Sequence, residues 1–235
     1  MLVIAAALWV TAAFGRTARL TPQSVSAATV PDVVAQVQAA FSDGMLDSAS
    51  LSGPELTVQT TASGTSAEAW AGFEAAVLAH AVADWQVAHG QTPLTELRAN
   101  GATGQSLSGL AADSIGGDSV SSPLPDSTCE DAAQNVSSSV SVMSARTLPF
   151  AGGTCVFKLD ATSADAVAAG NQMSSAMAHA LPSGATANDH PWLIEVDAPT
   201  GSPLLVVTWV PGLDGVGSGT AYVRPGLPGG SGLYP

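Results

Sequence analysis

His80 and Asp84 stand four residues apart and His89 five further on, within a stretch of helical spacing. On a helix the first pair shares a face and His89 lies about one turn beyond, so imidazole and carboxylate groups could reach one cation. Catalytic zinc sites on a single helix use a tighter pattern, HExxH, and the chain has none. The expectation is therefore a solvated polar face and no metal ligands. Asp113, Asp118 and Asp126 lack the EF-hand spacing and read as charges that solubilise a loop.

Nucleophile patterns are equally sparse. GVGSG at Gly215 and GGSGL at Gly229 misplace the glycines of the GxSxG elbow, and no general base is positioned by motif. P-loop and dinucleotide fingerprints are missing, so no cofactor and no catalytic residues are expected. Asn135-Val136-Ser137 is a glycosylation sequon, relevant only in a eukaryotic host, which the composition argues against.

Cys129 and Cys155 are the two cysteines, and no CxxC spacing supports a redox or zinc motif. In an oxidising compartment they would close a loop of about 27 residues and restrict the unfolded chain by about 3.5 kcal/mol on the entropic model. The N-terminus agrees. MLVIAAALWVTAAF is an apolar run of 14 residues, about 21 Å as a helix against a hydrocarbon core of about 30 Å. That length suits a secretory signal better than a span, and small residues at Thr11, Ala13 and Gly15 fit a cleavage site. Basic residues before the run are missing, while Arg16 and Arg19 follow it. Uncleaved, the same segment would anchor the chain to a membrane.

Charge excludes one class of partner. Nineteen acids face six bases, with Lys158 the single lysine, and such a surface repels phosphate backbones, so nucleic acid is not an expected partner. Aromatics are 5% of residues, so the core must be built from small side chains around Trp70, Phe73, Trp85, Phe157, Trp192 and Trp209.

The elements that would position these residues follow from periodicity. VPDVVAQVQAAF carries Val33, Val34, Val37 and Phe41 at helical steps behind Pro31 and Asp32. ELTVQTT, from Glu55, alternates as a strand. Thr65 and Glu68 have the spacing of a capping box, and Trp70, Phe73, Val77, Ala81 and Trp85 form one apolar face of a helix running to about His89. LTELRANG reads as a short helix or a strand. In the second half, Cys129 to Val136 reads as a short helix, SVSVMSARTL and TCVFKLD as strands, and Thr162 with Asp165 as the cap of a helix carrying Val167, Met173, Met177 and Leu181. PWLIEVDAPTGSPLLVVTWV reads as a hairpin whose second strand is apolar on both faces, and TAYVR as an edge strand.

Two stretches begin alike: TSAEAW at Thr65 and TSADAV at Thr162 are 97 positions apart, and AHAV and AHAL place His80 and His179 99 apart. LTELRANGATG also matches LIEVDAPTG, setting Glu96 beside Glu195 and Thr103-Gly104 beside Thr200-Gly201. Two extra residues inside one helix would rotate its end by about 200°, so both helical matches cannot be equivalent. Duplication and convergent helix starts both remain open.

The sequence thus predicts an α+β protein, with helices packed on a small, mainly antiparallel sheet, either as one body or as two similar strand-helix-strand units in tandem. Its expected organisation is a signal peptide or anchor at 1–19, a linker at 20–28, a first unit at 29–99, a linker or long loop at 100–126, a second unit at 127–224 and a flexible tail at 225–235. The expected function is that of a non-catalytic, secreted or membrane-anchored protein of the bacterial envelope that binds a protein partner or supports assembly of a membrane-associated complex. Trp85, Trp192 and Trp209 are the candidate ligand or interface anchors. An envelope hydrolase with dispersed site residues, or a small-molecule carrier, is the alternative.

Overall fold

The computed structural model of the chain describes residues 27–41, 44–107, 123–136, 140–183, 185–211 and 218–230. The expected signal or anchor lies outside the described residues, and no described helix is long and apolar enough to cross a membrane.

Helix α1 (Val30–Ala40) opens on a reciprocal capping box. The Thr29 amide donates to the Asp32 carboxylate at 2.9 Å, and the Asp32 amide donates to the Thr29 hydroxyl at 3.4 Å, so two amides at the helix start are satisfied. Val33, Val37 and the C-cap Phe41 are buried. The Phe41 ring meets Phe73 edge-on at 6.3 Å, which docks α1 on the long helix that follows.

That helix, α2 (Thr65–Ala88), is reached through a hairpin of β1 (Leu46–Ser52) and β2 (Glu55–Thr60), and β3 (Glu96–Asn100) then pairs parallel to β2. Within LTELRANG, the residues from Glu96 to Asn100 therefore form a strand and no helix. The expected capping box at Thr65 does not form. Gly64 is the cap residue, with no side-chain bond, and Glu68 instead accepts from Gln105 Nε2 at 2.9 Å.

In the second half, α3 (Thr128–Gln134) precedes the antiparallel pair β4 (Ser141–Leu148) and β5 (Thr154–Asp160). Helix α4 (Ala166–Ala180) then crosses to β6 (Trp192–Asp197), parallel to β5, and β7 (Pro203–Val210) and β8 (Ser218–Val223) extend the sheet antiparallel. Asp165, not Thr162, holds the cap position of α4; the Thr162 hydroxyl donates to its carboxylate at 2.6 Å. Four of the six strand pairings are antiparallel, in two sheets ordered β1-β2-β3 and β4-β5-β6-β7-β8.

The halves share one connectivity, helix, hairpin, helix and parallel strand, and the second adds two strands. Each first strand carries a register shift near its start, at Leu46/Ser48 and at Val142/Ser144. Aligning these shifts sets Ser48-Ala49 on Ser144-Ala145, 96 apart, and their partners Gln59 and Lys158, 99 apart. The turns after the parallel strands also match. The Gly101 amide donates to the Gln105 carbonyl and the Gly104 amide to that of Gly101; Ala198, Ser202 and Gly201 repeat this 97 positions on. The spacings 99 and 97 that conflict inside the helix thus both occur, one before it and one after. The Glu96 and Glu195 match does not hold, because Glu96 pairs with Glu55 whereas Glu195 pairs with Lys158.

Helix α2 lies between the two sheets. It touches α1 and β1 to β3 on one side and β7 and β8 on the other. Its burial departs from the expected single stripe, since Ala71, Ala75, Ala79 and Ala83 are buried as well as Trp70, Phe73 and Val77. A ridge of alanines lets a second surface approach the backbone, and a helix apolar all round belongs inside a core. The five-stranded sheet is covered on both faces. Val156, Leu193, Val206 and Val210 join the cluster around α2, while Phe157, Ile194, Leu205 and Val207 join the cluster under α3 and α4.

The ends of the stretch read as a linker are packed, with Leu107 and Leu124 buried. The described part of the expected tail, residues 225–230, is mostly exposed but touches the fold at two points. Leu227 is buried, and Gly230 lies so close to Val223 that a Cβ there would come within 2.5 Å of Cγ1.

Candidate functional site

The structure separates the three tryptophans named as anchors. Trp85 lies near the end of α2 in the first cluster, its Nε1 donating to the Ala27 carbonyl at 2.8 Å and its ring stacked on His89 at 4.2 Å. Trp192 and Trp209 are direct cross-strand partners on β6 and β7, on the α4 side of the sheet. Trp209 Nε1 donates to the Asn188 carbonyl at 3.1 Å, whereas the buried Trp192 Nε1 has no acceptor among the described residues. Trp85 and the Trp192–Trp209 pair thus belong to different clusters. Trp192 and Trp209 stand together, and Trp85 fastens Ala27 to the end of α2.

Cys129 and Cys155 are bonded, with Cα atoms 5.6 Å apart. The bridge ties α3 to β5 and is fully enclosed, so it is out of reach of thiols in solution while the fold is intact. Trp192 is the parallel partner of Cys155, which sets the disulfide beside the tryptophan pair.

The polar residues of α2 are not the solvated face expected. His80 is 7% exposed, and burial lowers its pKa to about 4, opposed by a hydrogen bond to the Pro211 backbone. Proline offers only a carbonyl, so the ring N–H is the donor. The neutral imidazole thus fastens α2 to the end of β7. Asp84, one turn on and partly buried, has its pKa raised to about 6 by desolvation. His89 is exposed, and its Nδ1 meets the Trp85 carbonyl at 2.8 Å. His190 is buried, its pKa lowered mainly by desolvation, and it bonds the Gly152 backbone. His179 is exposed. No group of three or more His, Cys, Asp or Glu is placed to hold a metal ion among the described residues. Asp113 and Asp118 lie outside them.

A charged cluster between α2 and the sheet was not anticipated. Lys158 Nζ stands 5.0 Å from the centroid of the Trp70 ring and 3.4 Å from Glu195 Oε2, its parallel-strand partner. Glu74 is 0% exposed and follows Trp70 by one turn. The signal was available, because an acid four residues after a core tryptophan must also face inward. Arg146 Nη1 donates to the Ala40 carbonyl at 3.3 Å in a partly buried contact, whereas Arg98 pairs with Glu55 at 3.1 Å on the surface.

Fold and geometry together define an α+β protein of two tandem αββαβ units, the second extended by two strands and closed by a disulfide. No family model matches the chain, and neither the curated proteins nor the solved structures hold a significant match.

Proposed function

We propose that this is a non-catalytic extracytoplasmic protein, secreted or held at the membrane by its N-terminal segment, which binds a basic protein partner in the bacterial envelope or helps assemble a membrane-associated complex there. The observation that carries the location is the enclosed Cys129–Cys155 bridge, a linkage that forms and persists in oxidising compartments. The acidic excess supports the partner's chemistry. With a net charge of −13, and with Arg146 and Lys158 engaged in partly buried contacts, the outer surface attracts basic surfaces and steers their approach.

The test is to express the chain with its own N-terminal segment in a bacterium, fractionate the cells and trap free thiols at once with a large maleimide. The reading requires the chain outside the cytoplasm with neither cysteine labelled. Recovery in the cytoplasm with both labelled overturns it. For the partner, crosslinking in intact cells at low and high salt should give an adduct with a basic envelope protein that fades as salt rises; a salt-insensitive adduct, or none, counts against electrostatic docking.

A further inference from the structure

Met143 is the most exposed large apolar side chain among the described residues, at 67%. Its position is built by the backbone. On β4, Val142 pairs with Leu159 and Ser144 with Lys158, so Met143 is the extra residue of a β-bulge and has no partner across the pair. Bulges re-aim a side chain and twist an edge away from further pairing. Here the bulge sets a thioether on the free edge of the five-stranded sheet.

The other methionines are placed differently. Met173 and Met177 are 0% and 2% exposed in the core beneath α4, and Met45 is half-buried against the first cluster. Met1 lies outside the described residues. We propose that Met143 is an oxidant-reactive site of the folded chain, taking up oxygen from peroxide-class oxidants as methionine sulfoxide. The sulfur lone pair attacks the peroxide, an S–O bond forms and the O–O bond breaks. Sulfur loses two electrons and hydrogen peroxide leaves as water. Because the Met143 side chain packs against little, the polar sulfoxide stays in solvent and the core is undisturbed. Oxidation at Met173 or Met177 would instead put a polar, chiral group between α4 and the sheet.

The experiment treats the full-length folded chain with hydrogen peroxide and follows each methionine by mass spectrometry after peptic digestion, beside thermal unfolding of the same samples. Met143 should oxidise about tenfold or more faster than Met173 and Met177, with the melting temperature unchanged when Met143 alone is modified. In Met143→Leu the fast oxidation should vanish while melting and the slow core rates stay as they were. Equal rates at Met143 and the core methionines, or a lower melting temperature once Met143 alone is oxidised, overturns the proposal. The outcome depends on the fold and not on where the protein resides, so it separates from the test of location.

Discussion

Lys158 on β5 stands over the indole of Trp70 on α2, and through this contact the single lysine of the chain joins its two halves. The ammonium lies against the ring while also facing Glu195, so the tryptophan supplies both apolar area and an electron-rich face. Trp70 Nε1 has no acceptor among the described residues, and its value is therefore in packing. Trp70→Ala should cost about 3–5 kcal/mol. Trp70→Phe, which loses volume but no hydrogen bond, should cost only about 1–2 kcal/mol. Urea unfolding of both variants checks the pair, and a Phe variant as damaged as the Ala variant would assign the indole N–H a role that this geometry denies it.

The disulfide should stabilise by restricting the unfolded chain. Its ends are 26 positions apart, so a Cys129→Ala, Cys155→Ala double variant should lose about 2–4 kcal/mol. Because the bridge is enclosed, a reductant should act only through unfolding. The rate of reduction of the intact protein should follow the unfolding rate, and reduction much faster than unfolding would contradict the enclosure.

His80 and Asp84 give opposing pH dependences. The folded pKa of His80, about 4, lies below its unfolded value of 6.5, so the unfolded chain binds the extra proton and stability falls as pH drops from 6.5 towards 4. The folded pKa of Asp84, about 6, lies above its unfolded value of 3.8, so the folded chain binds the extra proton and stability rises as pH drops from 6 towards 3.8. The two slopes offset between about pH 4 and 6. Relative to the unaltered protein, Asp84→Asn should lose stability on acidification through this window, and His80→Gln should gain it. Urea midpoints at three pH values decide the matter, and parallel profiles for all three proteins would refute both assignments.

Much of this architecture was legible because it rests on periodicity. The spacing of Val33, Val37 and Phe41 marked α1, and the alternation of Leu56 and Val58 marked β2. The apolar run of Leu204 to Val207 marked a strand buried on both faces, as β7 is. β1 was not legible, since LDSASLS offers few large apolar groups and the register shift beside Asp47 breaks its alternation. The all-round burial of α2 from Ala69 to Ala83 was hidden by alanine, which is silent in a pattern search yet decides how closely a sheet can approach. Caps misled for a related reason. Thr65 and Glu68 have the same spacing as Thr29 and Asp32, but only the latter pair closes, because spacing does not fix the backbone of the cap residue. Of the candidate site, the disulfide was legible from two cysteines in an export-like chain, while the contact of Lys158 with Trp70 depends on how two distant elements pack.

The other buried indole of α2 holds the residues just before α1. Trp85 Nε1 donates to the Ala27 carbonyl across 58 positions of sequence, so the segment preceding α1 is fastened to the far end of α2. Trp85→Phe keeps most of the apolar area but leaves a carbonyl without its donor, which adds about 1–2 kcal/mol to the loss of volume. It should therefore destabilise more than Trp70→Phe, although both remove the same atoms from the same helix. The extra loss should also be local. Amides around Ala27 to Val30 should exchange faster in Trp85→Phe and unchanged in Trp70→Phe, because only the first releases the entry segment. Equal stability losses with no local change in exchange would mean that the Ala27 bond contributes nothing. Residues 27–29 would then be held by α1 and its Thr29 cap alone.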